Sequence, residues 1–229
     1  MKTTKLQTGK KGFLFSVNSS LRALAKVIAV VAAISLLLSA TPAAAHHPFG
    51  GETPSNFFEG LFSGLGHPII GPDHFAFVVA VGLLAVIKER GILIPIAFVV
   101  AAVAGTGIHL MSLDLPIPEV IISASVLLFG VMLALKNSPS SMVMAALAAI
   151  AGLFHGYAYG EAVVGAEMTP LVGYLAGFTL IQLAIALSAF QVGKYAMKQF
   201  TEQPTLVLRF AGYTICGAGA AFLSSSILG

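Results

Sequence analysis

The residues of this chain that could do chemistry gather in one eight-residue stretch, His67-Pro68-Ile69-Ile70-Gly71-Pro72-Asp73-His74. Its flanks, Phe57 to Gly66 and Phe75 to Ile87, are mainly Phe, Leu, Val, Ala and Gly. Two imidazoles and a carboxylate in such a run are costly to hold in hydrocarbon, and groups kept there are functional by default. Imidazole nitrogen together with carboxylate oxygen suits divalent nickel, cobalt, zinc or iron. On an unbroken helix, seven residues would part His67 from His74 by about 10 Å along the axis, too far to share an ion. Two prolines and a glycine forbid that unbroken helix. A turn at Gly71-Pro72 folds the histidines toward each other, with His67 closing one half-helix and Pro72-Asp73-His74 opening the next. Helix capping alone accounts for Asp73 but leaves two intramembrane imidazoles unexplained.

A second polar group lies at Phe154-His155-Gly156-Tyr157-Ala158-Tyr159-Gly160-Glu161. Gly152, Gly156 and Gly160 are spaced by four, which gives a helix face that another helix can approach closely. His155 and Tyr159, also spaced by four, share an adjacent face. Counted from its span ends, His155 lies at a depth similar to that of His74. We therefore read His155 as a further ligand, with an interhelical hydrogen-bonding role as the alternative. His46-His47, His109, Asp114 and Glu119 are secondary candidates for capturing an ion at the outer face. The scattered methionines read as packing.

These groups need membrane helices to hold them. The chain is 57% hydrophobic and 9% charged, with a mean hydropathy of +0.94. That excludes an ordinary soluble domain and predicts an all-α, polytopic transmembrane helix bundle. Six of the twelve basic residues fall in the first 26 positions. The apolar run Val27 to Leu38 and the small-residue end Ala43-Ala44-Ala45 follow. This is the pattern of a signal peptide over 1–45, with an uncleaved anchor as the alternative. Residues 46–229 then form a single membrane-embedded domain. Its apolar segments fall near 57–87, 91–111, 119–135, 141–163, 170–192 and 207–227, about six spans of roughly 20 residues. The first is too long for one straight helix, so it is expected to break at Gly71-Pro72. Spans one and four both carry histidines, which would fit an inverted repeat. A lone Cys216 excludes an intramolecular disulfide or cysteine cluster.

Charge gives the orientation. If the domain starts outside, Lys88, Arg90, Lys136, Lys194, Lys198 and Arg209 all fall on the cytoplasmic side. Both ends of the domain then lie outside the cytoplasm, in the inner (plasma) membrane. Six basic residues against nine acidic ones beyond position 45 give no basic surface for nucleic acid.

The run Gly60-Leu61-Phe62-Ser63-Gly64-Leu65-Gly66-His67 through Asp73-His74, followed by Ala80-Val81-Gly82-Leu83, resembles the HupE/UreJ metal permeases. That family carries His-x5-Asp-His in its first span, between Gly-Leu-x-x-Gly and Ala-Val-Gly-Leu. Its second motif, Phe-His-Gly-x-Ala-His-Gly-x-Glu, is similar to Phe154 through Glu161, with Tyr159 where the family has His and Glu161 one residue early. The resemblance covers the whole mature chain. It implies passage of Ni²⁺ or Co²⁺ into the cell, with His67, Asp73, His74, His155 and Glu161 as metal-binding residues. The ion is substrate rather than a tightly bound cofactor. The expected partners are a divalent metal ion and the lipid bilayer.

Secondary transport is the leading function. No Gly-x4-Gly-Lys-Ser/Thr motif is present for nucleotide coupling. An intramembrane metal-dependent hydrolase is the alternative, with His67, His74 and His155 on the metal and Asp73 as base. An accessory subunit that only packs in a larger complex would bind no metal at all.

Overall fold

The computed structural model describes residues 53–228. The expected signal peptide, His46 and His47 lie outside the described residues. Among these there are seven helices and no strand: α1 (Phe57–Ile70), α2 (Pro72–Val86), α3 (Leu93–Leu110), α4 (Pro118–Ala134), α5 (Ser141–Glu161), α6 (Met168–Gln199) and α7 (Pro204–Leu228).

α1 starts where Asn56 accepts the Glu59 amide at 3.0 Å and Glu59 accepts the Ser55 amide at 2.8 Å. The exchange satisfies donors that a helix start otherwise leaves open. α1 stops at Gly71, and the chain turns by 80° before Pro72 opens α2. The bent pair is the broken first span expected from the sequence. α3, α5, α6 and α7 are each long and apolar enough to cross a bilayer. α4, with 17 residues, is about 26 Å long at 1.5 Å per residue, slightly short of the ~30 Å hydrocarbon thickness.

Glycines set the three tightest helix pairs and show their directions. A Cβ on Gly60 or Gly64 would overlap the backbone of Pro170 or Tyr174, and one on Gly173 or Gly177 would overlap that of Phe57 or Leu61. Residue numbers rise together along this contact, so α1 and α6 run parallel. α3 and α5 also run parallel, with Gly152 on Phe98 and Gly156 on Ala102. α4 and α7 run antiparallel, with Gly130 on Ile215 and Cys216 and Gly219 on Leu127. Small residues let backbones meet where lipid supplies no hydrophobic drive. These relations are those of six alternating spans.

One expectation about α6 changes. The sequence reading ends the fifth span near 192 and leaves 193–206 as a loop, yet α6 continues to Gln199 and only 200–203 separate it from α7. Lys194 and Lys198 ended the apolar count. They sit instead on a helix end, where cations oppose the negative pole of the dipole, and Lys194 lies 5.3 Å from the Phe190 ring centre. α6 also flanks both halves of the broken span, since Gly60 meets Pro170 and Gly82 meets Ala186.

α2 is the hub, with Phe77, Val78, Ala80, Val81 and Leu84 fully buried. At one end of the bundle, Lys88 donates to the Ser138 carbonyl and Arg209 to the Ala134 carbonyl, both at 2.8 Å. Lys88, Lys136 and Arg209 line one cavity there. At the other end, Tyr157 donates to Asp114 at 3.4 Å. Lys88, Lys136 and Arg209 thus lie at the end of the bundle opposite to Asp114.

Candidate metal site in the bundle

Each histidine of the site is delivered by a different device. His67 sits in the last turn of α1, and His74 in the first turn of α2. The 80° turn brings their ring centres to 5.7 Å, where a straight helix would hold them about 10 Å apart. Gly71 is needed for this approach. A Cβ there would stand 2.6 Å from Cδ2 of His74. α5, seated tightly on α3 through Gly152 and Gly156, carries His155 up to His74. His74 Nδ1 and His155 Nδ1 are 2.8 Å apart.

Hydroxyls hold the outer nitrogens. Ser125 Oγ is 3.0 Å from His155 Nε2 and donates to the Ile122 carbonyl at 2.6 Å. Tyr174 OH is 2.8 Å from His67 Nδ1 and donates to the Tyr159 carbonyl, also at 2.8 Å. Tyr159 packs between the two α1–α2 histidines, 5.0 Å from His67 and 4.6 Å from His74 by ring centres. Its hydroxyl is buried without a hydrogen-bond partner, although a buried hydroxyl is usually bonded.

The surroundings are apolar. Phe77 lies 4.5 Å from His155, and Phe98 and Phe129 pack on Phe77. On the opposite side, Phe178 covers Tyr159 and Tyr174. His67, His74 and His155 are at most 5% exposed.

Three of the five expected metal residues therefore converge. Asp73 stands beside them but turns back, its Oδ1 accepting the His74 amide at 2.8 Å. That suits a carboxylate at the positive end of α2. Glu161 is exposed at the end of α5 and does not join the cluster. Among the described residues, no three His, Cys, Asp or Glu side chains form a ready ion cage. His109 packs edge-on with Tyr157 at 4.4 Å, and the Tyr157 hydroxyl donates to Asp114, so the two secondary candidates share Tyr157 as a neighbour. Glu119 is exposed in the first turn of α4.

Sequence reasoning missed Ser125 and Tyr174. Ser125 is one of many small residues in an apolar helix and carries no signal of its own. Tyr174 had one: it lies next to Gly173, on the face of α6 where Gly173 and Gly177 admit α1.

The model of the family described as HupE / UreJ protein matches residues 34–222. The chain is also similar to "Protein HupE" of Rhizobium leguminosarum bv. viciae, at 30% identity over 200 residues. The match covers 86% of this chain and 97% of that protein. No solved structure matches.

Proposed function

Because the chain belongs to the HupE/UreJ family, we propose that it carries a divalent transition-metal ion, Ni²⁺ or Co²⁺, across the membrane into the cell. The observation that supports this most directly is the meeting of His67 and His74 across a broken span, backed by His155 and sealed in apolar side chains. Broken helices at the centre of a bundle are the usual setting of transported-ion sites. Imidazoles suit nickel and cobalt, and geometry rather than intrinsic affinity separates them.

In this reading the ion enters at the acidic end, past Asp114 and His109. It meets His67 and His74, then leaves at the end lined by Lys88, Lys136 and Arg209. Asp73 is placed to swing from its own helix start toward the ion and match its charge. Tyr159 offers an oxygen at the position where the family motif has His. Glu161 serves the outer rim rather than the centre. The cytoplasmic side is assigned to the basic end by the positive-inside rule. A membrane potential negative inside favours entry by about 4.6 kcal/mol per 100 mV for a divalent ion.

The hydrolase alternative needs Asp73 aimed at a metal-bound water. Asp73 instead accepts the His74 amide, so transport is the better reading. The decisive experiment is uptake into proteoliposomes holding the purified chain, comparing Ni²⁺, Co²⁺ and Zn²⁺ under an inside-negative potential. Saturable, potential-dependent nickel or cobalt entry is expected. Entry no faster than into empty liposomes would reject the proposal.

A further inference from the structure

We infer that Ser125 and Tyr174 are positioning residues that fix which nitrogen of each histidine can bind an ion, and that His155 acts behind His74 rather than as a ligand. The inference rests on the transport reading for its purpose, but its geometry stands alone. A hydroxyl has one proton to donate, and a neutral imidazole has one N–H and one lone pair. A carbonyl oxygen only accepts.

Ser125 Oγ is 2.6 Å from the Ile122 carbonyl, so its proton lies in that contact. Toward His155 Nε2, 3.0 Å away, Ser125 has only a lone pair left. His155 must therefore carry its proton on Nε2 and its lone pair on Nδ1. His74 Nδ1, 2.8 Å from that lone pair, must be the donor. The neutral His74 ring then has its lone pair on Nε2. The same logic applies to α6. The Tyr174 proton goes to the Tyr159 carbonyl, so His67 Nδ1 donates to the Tyr174 oxygen at 2.8 Å. His67 too has its lone pair on Nε2.

Two backbone carbonyls, through two hydroxyls, thus set three imidazoles. In the neutral rings of His67 and His74, Nδ1 then carries the proton and Nε2 is the nitrogen whose lone pair would bind an ion. Both nitrogens of His155 are occupied, one by His74 and one by Ser125. Partners of this kind orient metal-binding histidines and raise their basicity, and their loss typically costs about 10–100-fold in affinity.

The test is ¹⁵N NMR of the histidine rings in the full metal-free chain, combined with nickel uptake. The parent should show N–H at Nδ1 of His67 and His74 and at Nε2 of His155. Ser125→Ala should mix the forms of His155 and His74 and weaken nickel binding about 10–100-fold, whereas Ser125→Thr should restore both. Tyr174→Phe should mix the forms of His67 alone. His155→Gln keeps an acceptor toward His74 and a donor toward Ser125, so it should retain much of the uptake that His155→Ala loses. An Nδ1–H on His155 in the parent overturns the inference, even if no variant folds. So does equal loss of uptake in His155→Gln and His155→Ala, because a ligand would behave that way. Expected ring signals in a chain that moves no nickel or cobalt would leave the tautomers standing and reject the transport reading instead.

Discussion

Gly71→Ala isolates the position of one imidazole. The backbone there has φ −76° and ψ 103°, a region open to any L-residue, and the following proline favours it further. The new methyl therefore strains no dihedral. It would stand 2.6 Å from Cδ2 of His74 and 3.4 Å from Oδ1 of Asp73. Carbon atoms in contact sit about 3.5–4.0 Å apart, so the ring must yield by roughly 1 Å. That displacement takes His74 off its 2.8 Å contact with His155. The lost hydrogen bond costs about 0.5–1.5 kcal/mol, and a glycine-to-alanine change returns about 0.4–1 kcal/mol by restricting the unfolded chain. Stability should therefore change by no more than about 1 kcal/mol. Ion binding should fall about 10–100-fold, as when an orienting partner is removed. Nickel uptake at limiting concentration, with thermal unfolding in detergent as the control, separates the two effects. Parent-like uptake would refute the claim that the place of the His74 ring limits transport.

Other outcomes follow from the same geometry. His67→Ala, Asp73→Ala and His74→Ala should each abolish uptake while the protein stays in the membrane, as judged by fractionation; normal uptake by the His74 variant would remove the central claim. Tyr159→His should change the nickel-to-cobalt ratio or tighten binding, since the ring already packs against both His67 and His74; identical transport of every metal would limit Tyr159 to packing. Gly64→Val should cost about 1–3 kcal/mol by overpacking, since its side chain would meet the Tyr174 backbone, and should lower the amount of folded protein. A reporter fused after Gly229 should be active outside the cytoplasm, and cytoplasmic activity would reverse the assigned orientation.

Much of this arrangement was legible in the sequence, for reasons that differ residue by residue. The broken span could be read because proline and glycine act locally, and because one straight helix would have overrun the bilayer. The close face at Gly152, Gly156 and Gly160 could be read because helical spacing alone decides it. His67 with His74 followed from the break. His155 was placed near them by depth, but depth cannot tell a ligand from a partner behind one. That distinction lies in Ser125 and the Ile122 carbonyl, on a helix far away in sequence. The end of α6 was misplaced because lysines stop an apolar count without stopping a helix. Glu161 rests on the family motif alone, and it lies exposed at the very end of α5.

The two hydroxyl bonds that leave the histidines end on the carbonyls of Ile122 and Tyr159. A peptide carbonyl accepts a proton bond but has no proton to hand on. Along these two routes, proton hopping therefore stops inside the bundle. Phe77, Phe98 and Phe129 on one side and Phe178 on the other add no relay group. The site is electrically insulated along these routes even though it is built from groups that elsewhere conduct protons. In the proposed transport cycle, neither the Ser125 nor the Tyr174 route would then let a proton leave the imidazoles while the ion passes.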